Sequence, residues 1–196
     1  MGPPGAGKGT HASLLAKYTD GVAISAGAVI RECIEQRKKK DERMINLVAK
    51  GKMIPHVITY SLMFPEIKKA IKKYDTIILD GILRTSAQIY RYWRFFGELP
   101  EHRVIIFYLD TPDSLARERL LRRKRSDDVV KTLRTRFQIQ GSHAQKRLMP
   151  ILKKRAQVYI VNSARTIPEV EKDLETLLDS QYAQQHDKNS RRYSAN

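Results

Sequence analysis

The sequence is poor in the residues that build disulfides, metal clusters and membrane anchors. Its 196 residues include a single cysteine, Cys33, which excludes an internal disulfide and a cysteine-based zinc site and favours a reducing, cytoplasmic environment. The longest apolar run, Val104–Leu109, is far shorter than the roughly 20 residues that span a bilayer. Acidic residues are also scarce, with 21 Asp and Glu against 37 Lys and Arg, so the net charge is +16 and anionic partners are expected.

The positive charge is concentrated in one part of the chain. Fourteen Lys and Arg residues and only three acidic residues lie between Arg117 and Arg155, which therefore carries most of the excess. Such a segment is typical of solvated helices, of a polyphosphate pocket or of a nucleic-acid surface. Phe137 is the only aromatic residue in this segment, which argues against a nucleic-acid surface there.

Short apolar runs alternate with segments of helical spacing. The β-rich runs are Val22–Ser25, Thr76–Leu79, Val104–Leu109 and Val158–Val161, and helical spacing is clearest over Ser61–Lys73 and Pro168–Leu178. This alternation predicts an α/β fold with a parallel sheet whose middle strands are buried on both faces. Residues 181–196 lack apolar periodicity and are predicted to form a disordered tail.

The chain opens with a glycine-rich segment, Gly2-Pro-Pro-Gly-Ala-Gly-Lys8-Gly-Thr10. Its G-x4-G-K core is typical of a loop that wraps its backbone N–H groups around nucleotide phosphates, with Lys8 adding a full positive charge. The general motif has Ser or Thr directly after the lysine, whereas here Gly9 stands there and Thr10 follows. A plain Gly-Pro turn is the alternative reading.

The Gly-Lys-Gly-Thr sequence resembles the nucleoside-monophosphate kinases, above all the adenylate kinase family. Two later segments match the same family in order, Asp80-Gly-Ile-Leu-Arg84-Thr-Ser-Ala-Gln88 and the arginine-rich stretch Arg119–Arg136. The resemblance implies a three-layer P-loop kinase fold with a five-stranded parallel sheet, of which four strands are visible here, and a helical monophosphate-binding insertion. It implies reversible transfer of the ATP γ-phosphate to AMP, giving two ADP.

The resemblance also implies the site residues. The catalytic residues would be Lys8, Arg84, Arg119, Arg123, Arg125 and Arg136. ATP would be bound by Gly5, Ala6, Gly7, Lys8, Gly9, Thr10, Arg119 and Asn162. AMP would be bound by Ser25, Ala26, Arg31, Ile54, Gly81, Arg84, Gln88, Arg125 and Arg136, with the Gln88 amide matching the N1/N6 edge of adenine. Magnesium, as Mg·ATP, would be held by Thr10 and, through water, by Asp80.

The implied domain organisation is a P-loop kinase core over residues 1–180. Within it, residues 26–56 would form the monophosphate-binding insertion and residues 123–127 a vestigial lid, since only Lys124 separates Arg123 from Arg125. No zinc is expected in so short a lid. The expected partners are ATP, AMP and ADP, and no membrane is expected. A nucleic acid is not the expected partner, but the net charge of +16 leaves that alternative open, and the expected state is a monomer.

Several positions depart from the family pattern. Ala26 and Ala28 stand where Thr and Asp are usual, Ile82-Leu83 replaces Phe-Pro, and Asn162-Ser163 replaces Asp-Gly. The alternatives are therefore a kinase of another monophosphate such as UMP or CMP, and a catalytically weak relative that binds RNA. The family also has a central first strand before its phosphate loop. We therefore expect an upstream segment, whose loss would leave backbone groups of the neighbouring strands unpaired.

Overall fold

The computed structural model of the chain describes residues 1–36, 42–123 and 130–193, which form four strands and ten helices. The strands are β1 (Val22–Ser25), β2 (Ile77–Asp80), β3 (Ile105–Asp110) and β4 (Gln157–Asn162). The helices are α1 (Lys8–Tyr18), α2 (Ala26–Gln36), α3 (Glu42–Ala49), α4 (His56–Ala70), α5 (Ser86–Gly97), α6 (Asp113–Arg123), α7 (Val130–Gln140), α8 (Ser142–Lys146), α9 (Met149–Lys153) and α10 (Ile167–Tyr193).

All four strands pair in parallel, as predicted, but they form two sheets of two strands. In one sheet β1 pairs with β2, and Ser25 stands opposite Asp80 at the carboxyl ends. In the other β3 pairs with β4, and Asp110 stands opposite Asn162. Parallel pairing therefore brings polar residues to the same edge of each sheet, where binding sites of α/β folds form.

Two apolar cores lie on opposite sides of the strands. One joins β1 and β3 to α4, α5 and α9, and includes Met63, Ile89 and Tyr92, all with no exposed surface. The other joins β3 and β4 to α1 and α10 through residues such as Leu109 and Leu174. Helices thus cover both faces of the strands, which confirms the α/β class with its three layers.

The chain runs beside β3 before it enters the glycine-rich loop. The amino-terminal group of Met1 donates to the carbonyl of Phe107, and the backbone N–H of Leu109 donates to the carbonyl of Met1 at 2.9 Å. This exchange with two residues of one neighbour is the parallel-sheet pattern. Because β3 pairs with β4 along one edge, Met1 lies along the other edge of β3. These hydrogen bonds set the position from which the chain enters the glycine-rich loop.

The middle strands differ in burial from the prediction. Every residue of β2 is half-buried rather than buried, whereas β3 contains the buried residues Ile106, Tyr108 and Leu109. Among the described residues β2 pairs only with β1. The half-burial of β2 fits its having one neighbouring strand within residues 1–36, 42–123 and 130–193.

The last helix is longer than the sequence suggested. We expected a tail without regular structure from residue 181, but α10 continues to Tyr193. Gln181 is buried and its backbone carbonyl accepts a hydrogen bond from Arg103 at 3.1 Å, while the Tyr182 hydroxyl lies 3.0 Å from that of Thr76. These polar contacts hold the helix where an apolar stripe is missing. In the described residues no helix is long and apolar enough to cross a membrane.

Gly5 is expected to be essential for packing the phosphate loop against α6. It has φ +86°, and a Cβ at this position would lie 2.1 Å from the backbone carbonyl of Ala116. We expect Gly5→Ala to destabilise the protein by about 3 kcal/mol through backbone strain and overpacking, measured by thermal or urea unfolding. The control is Gly97→Ala, whose Cβ would meet no atom within 4 Å and which should change the unfolding free energy by less than about 1 kcal/mol. Equal stability of the two variants would contradict the contact.

Candidate active site

A cavity of about 950 Å³ opens at the carboxyl ends of β1 and β2. The phosphate loop and the start of α1 form its floor, and the start of α2 and the loop before α4 form one wall. Residues that follow β2, together with side chains from α6 and α7, form the opposite wall. Elements distant in sequence therefore converge on the loop.

The phosphate loop leads directly into the N-terminus of a helix. Gly7 has φ +84° and precedes α1, which begins at Lys8. The first N–H groups of a helix have no partner within the helix, and they carry its partial positive charge toward an anion. The Lys8 Nζ group donates to the carbonyls of Gly2 at 2.9 Å and Pro3 at 2.6 Å, across the loop.

Lys8 lies in a strongly positive environment. Burial lowers its pKa from 10.5 to about 8; nearby Arg84, Arg136 and Arg123 contribute to this shift, and Asp80 opposes it. Three arginines from the β2–α5 loop, α6 and α7 are thus close enough to repel one lysine. Such a cluster of cations is suited to a ligand with several negative charges.

Asp80 ends β2 beside the phosphate loop. One carboxylate oxygen accepts a hydrogen bond from the Ser25 hydroxyl at 3.2 Å, and the other is buried without a partner among the described residues. An oxygen that is buried and free fits the water shell of a magnesium ion. Within the described part of the chain no three His, Cys, Asp or Glu residues cluster as a metal site. The protein thus offers this carboxylate for an ion whose remaining ligands come from elsewhere.

Arg84 is held by two neutral glutamine side chains. Its guanidinium donates to the Gln140 side-chain oxygen at 2.8 Å, and its backbone N–H donates to the Gln88 side-chain oxygen at 2.7 Å. Burial lowers the pKa of Arg84 from its ordinary value. The preceding residue, Leu83, is buried and has φ +57°, a left-handed conformation that sets the direction of Arg84. The guanidinium is therefore oriented while its charge is not neutralised.

Arg119 organises the loop after β4. Its guanidinium donates to the backbone carbonyls of Ser163 at 2.8 Å and Arg165 at 3.3 Å. The Ser163 hydroxyl is buried, and it contacts the carbonyl of Ala6 at 3.2 Å and the hydroxyl of Thr111. One arginine and one serine thus join this loop to α6, β3 and the phosphate loop.

Most of the predicted site residues line this one cavity. They are Gly5, Gly7, Lys8, Gly9, Thr10, Ser25, Ala26, Arg31, Ile54, Asp80, Gly81, Arg84, Gln88, Arg119, Arg123 and Arg136. Ala6 has no exposed surface and packs in the core. Asn162 lies outside the cavity lining and its side-chain oxygen accepts from the N–H of Ala164 at 3.0 Å, so its contact with ATP stays a prediction. Arg125 and residues 124–127 of the predicted lid lie outside the described residues.

Sequence reasoning missed several residues of the lining. The additional side chains include His11, Thr59, Gln140, Ser163, Thr166 and Ile167. Gln140 could have been found, since it follows Arg136 by one helical turn and so shares its face of α7. Ser163 carried no such signal, because its role depends on contacts with residues more than 50 positions away. His11 is buried, and burial lowers its pKa.

Comparison with known proteins identifies adenylate kinases and a UMP-CMP kinase as relatives of this chain. The adenylate kinase family profile matches residues 1–158. The chain is 29% identical over 176 residues to an adenylate kinase of Prochlorococcus marinus (strain AS9601), covering 89% of this chain and 93% of the relative. It is 29% identical over 175 residues to an adenylate kinase of Trichodesmium erythraeum, covering 87% and 91%. UMP-CMP kinase 2 of Oryza sativa subsp. japonica is 30% identical over 143 residues, covering 71% and 56%.

Binding of a polyphosphate should weaken with rising pH because of Lys8. With a pKa of about 8 the amine is mostly charged at pH 7 and mostly neutral at pH 9. A bound anion favours the charged amine, so binding above pH 8 should take up a proton and the Kd should rise about 10-fold between pH 7 and 9. Calorimetry of inorganic triphosphate in two buffers of different ionisation enthalpy measures both effects. Lys8→Met should bind weakly with little pH dependence, and a wild-type Kd that is constant up to pH 9 would contradict this assignment.

Proposed function

This chain belongs to the adenylate kinase family, and we propose that it catalyses reversible transfer of the γ-phosphoryl group of Mg·ATP to AMP, giving two ADP. The observation that carries the proposal is the convergence of Lys8, Arg84, Arg123 and Arg136 beside a phosphate loop and Asp80 in one cavity. Phosphoryl transfer depends mainly on positioning and on stabilising charge spread over the transferred group. The cluster of cations in this cavity would supply that stabilisation.

The donor nucleotide is assigned to the side of the cavity formed by the phosphate loop. The loop N–H groups and Lys8 would bind the β- and γ-phosphates. The adenine of ATP would lie near Ile167, which is 52% exposed. There it would sit between the Arg119 side chain and the loop after β4, to which Arg119 is hydrogen-bonded. Because Arg119 donates to backbone carbonyls of the loop after β4, substituting Arg119 should change the conformation of that loop as well as the charge of the cavity.

The acceptor is assigned to the opposite side, where α2 and the β2–α5 loop meet. Arg31 and Arg84 would bind the phosphate of AMP, with Arg136 completing the cluster. A phosphate oxygen of AMP attacks the γ-phosphorus of ATP, and the bond from that phosphorus to the β–γ bridging oxygen breaks. The acceptor oxygen is already ionised near neutral pH, so the reaction requires no general base.

Asp80 and Thr10 are assigned to the magnesium ion that accompanies ATP. The buried free oxygen of Asp80 supports this assignment. These two residues would hold the ion beside the phosphate loop, where its positive charge would offset part of the charge of the phosphates. The Ser25 hydroxyl would keep the carboxylate of Asp80 oriented toward the phosphate loop.

We propose the same division of the chain as the family pattern implies. The helices α2 and α3 belong to an insertion over residues 26–56, which returns at Gly51 beneath α7. A Cβ on Gly51 would lie 2.6 Å from the backbone carbonyl of Thr132, which supports close contact between this insertion and α7. A short lid over residues 123–127 would complete the kinase core.

Gln88 supports AMP or CMP, rather than GMP or UMP, as the acceptor. Its side-chain oxygen is engaged by the Arg84 N–H, and the side chain lines the cavity, so its NH2 group remains for the base. An NH2 donor matches a ring nitrogen with a lone pair, such as N1 of adenine or N3 of cytosine. The N1–H of guanine and the N3–H of uracil would present a second donor. The UMP-CMP kinase relative makes CMP the second candidate acceptor.

A panel of monophosphates tests this assignment. With Mg·ATP as donor, we expect kcat/KM to be highest for AMP, followed by CMP, and at least about 10-fold lower for GMP and UMP, since each mismatch leaves two donors facing each other. ADP formation measures the rates. Gln88→Glu keeps the shape but removes the donor, and should reduce the preference for AMP over UMP. Fastest turnover of UMP or GMP would overturn the proposed specificity, and no transfer to any monophosphate would overturn the proposed function.

Gln140 is expected to position Arg84 for the acceptor phosphate. Gln140→Leu removes a hydrogen bond to a charged group and should raise the KM for AMP about 10-fold. Gln140→Glu should raise it further, because a carboxylate would pair with Arg84 and compete with the phosphate. Steady-state kinetics with each substrate varied should show a KM for ATP changed less than about 2-fold.

The matched control for Gln140 is Gln138→Leu. Gln138 lies exposed on the same helix and does not line the cavity. This variant should leave both KM values unchanged. An unchanged KM for AMP in Gln140→Glu would contradict the positioning role.

A further inference from the structure

A strip of exposed cations crosses the outer face of α5, remote from the cavity. We call it the α5 strip, and it consists of Lys68, Tyr90, Arg91, Arg94 and Arg155. None of these residues lines the active-site cavity. The proposed reaction therefore gives the strip no role, although it carries part of the excess positive charge.

The cations of the strip are not neutralised by ion pairs. The pairs recorded among the described residues join Arg122 to Glu118, Lys146 to Asp110 and Arg165 to Asp173, and none involves the strip. Glu98, one turn after Arg94, is the nearest exposed carboxylate along this face of α5. The four cations of the α5 strip thus face solvent, and Glu98 is the one carboxylate at its end.

Aromatic rings hold the cations in place instead. The Arg91 guanidinium lies 5.4 Å from the ring centre of Phe64, and the Lys68 ammonium lies 5.8 Å from that of Phe95. These two rings stack with their centres 3.9 Å apart. A ring orients a cation without cancelling its charge. The cations are therefore positioned and remain available to an anion.

Tyr90 adds an exposed ring at the other end of the strip. It is 55% exposed, and the Arg155 guanidinium lies 4.8 Å from its ring centre. Tyr90 and Arg94 are four residues apart on α5, and Arg91 and Arg94 are three apart, so these side chains share one helix face. The strip is thus continuous from α4 across α5 to the end of α9.

We propose that the α5 strip binds single-stranded nucleic acid. Regularly placed cations match a phosphate backbone, while an exposed tyrosine and planar guanidinium groups offer stacking surfaces to unpaired bases. An anionic membrane fits less well, because the large apolar side chains exposed elsewhere, such as Val57, Leu121 and Ile160, are absent from the strip. The aromatic residues that the basic segment 117–155 lacks are supplied here by α4 and α5.

The test uses the full chain and a fluorescent 12-nucleotide oligouridine without a 5′-phosphate, measured by anisotropy. Four phosphate contacts should weaken binding about 50-fold between 50 and 200 mM salt. The triple variant Arg91→Gln, Arg94→Gln and Arg155→Gln should reduce this salt dependence by more than half. Tyr90→Leu should weaken binding about 10-fold through lost stacking with the salt dependence retained.

The matched control removes three exposed cations away from the strip, with Lys17→Gln, Arg134→Gln and Lys172→Gln. It should bind RNA within about 2-fold of the unaltered protein at 200 mM salt, where non-specific attraction is screened. All variants should retain the kcat for ADP formation, which verifies folding. Equal loss in the control, displacement of the RNA by saturating Mg·ATP, or binding to phosphatidylserine vesicles without binding to RNA would each overturn the proposal.

Discussion

The burial of a lysine beside three arginines in one cavity is the constraint on which the site depends. Lys8 keeps a pKa of about 8 because burial and three arginines disfavour its charge, and Asp80 is the carboxylate that opposes them. Burial disfavours the charge of Lys8, and the apolar packing of the strands and helices keeps the lysine in this position. A polyphosphate brings negative charge to the same cluster. Binding energy and transition-state stabilisation therefore have the same origin, which is charge that the folded protein concentrates in advance.

Uncharged hydrogen-bond acceptors orient the arginines of the cavity without neutralising their charge. Gln140 accepts from the Arg84 guanidinium, and backbone carbonyls of Ser163 and Arg165 accept from Arg119. A carboxylate in these places would bind the arginine more strongly but would compete with phosphate. The α5 strip uses aromatic rings to the same end, since Arg91 and Arg155 lie over rings rather than beside carboxylates. Both surfaces keep their charge for an external anion.

The local motifs were predictable because their chemistry depends on residues close in sequence. The glycine pattern before Lys8, and the spacing from Asp80 to Gln88, each lie within one loop and the adjoining helix or strand. Gln140 and Ser163 were missed because each acts on a residue about 50 or more positions away, and nothing in a local pattern marks such a contact. Asn162 was also chosen from a local pattern. Its contact with ATP stays a prediction, and its side-chain oxygen accepts a hydrogen bond from the Ala164 N–H in the turn that follows β4.

The sequence by itself determined the α/β class, the phosphate loop and the family, because periodicity and short motifs are local properties of the chain. Only the tertiary structure decided that the four strands form two separate pairs, that Met1 hydrogen-bonds to β3 and that α10 continues past residue 180. It also decided which of the many arginines share a cavity and which lie on the α5 strip. The physical reason is that charge acts through distance in space, and the packing of apolar faces, rather than the order of residues, sets those distances.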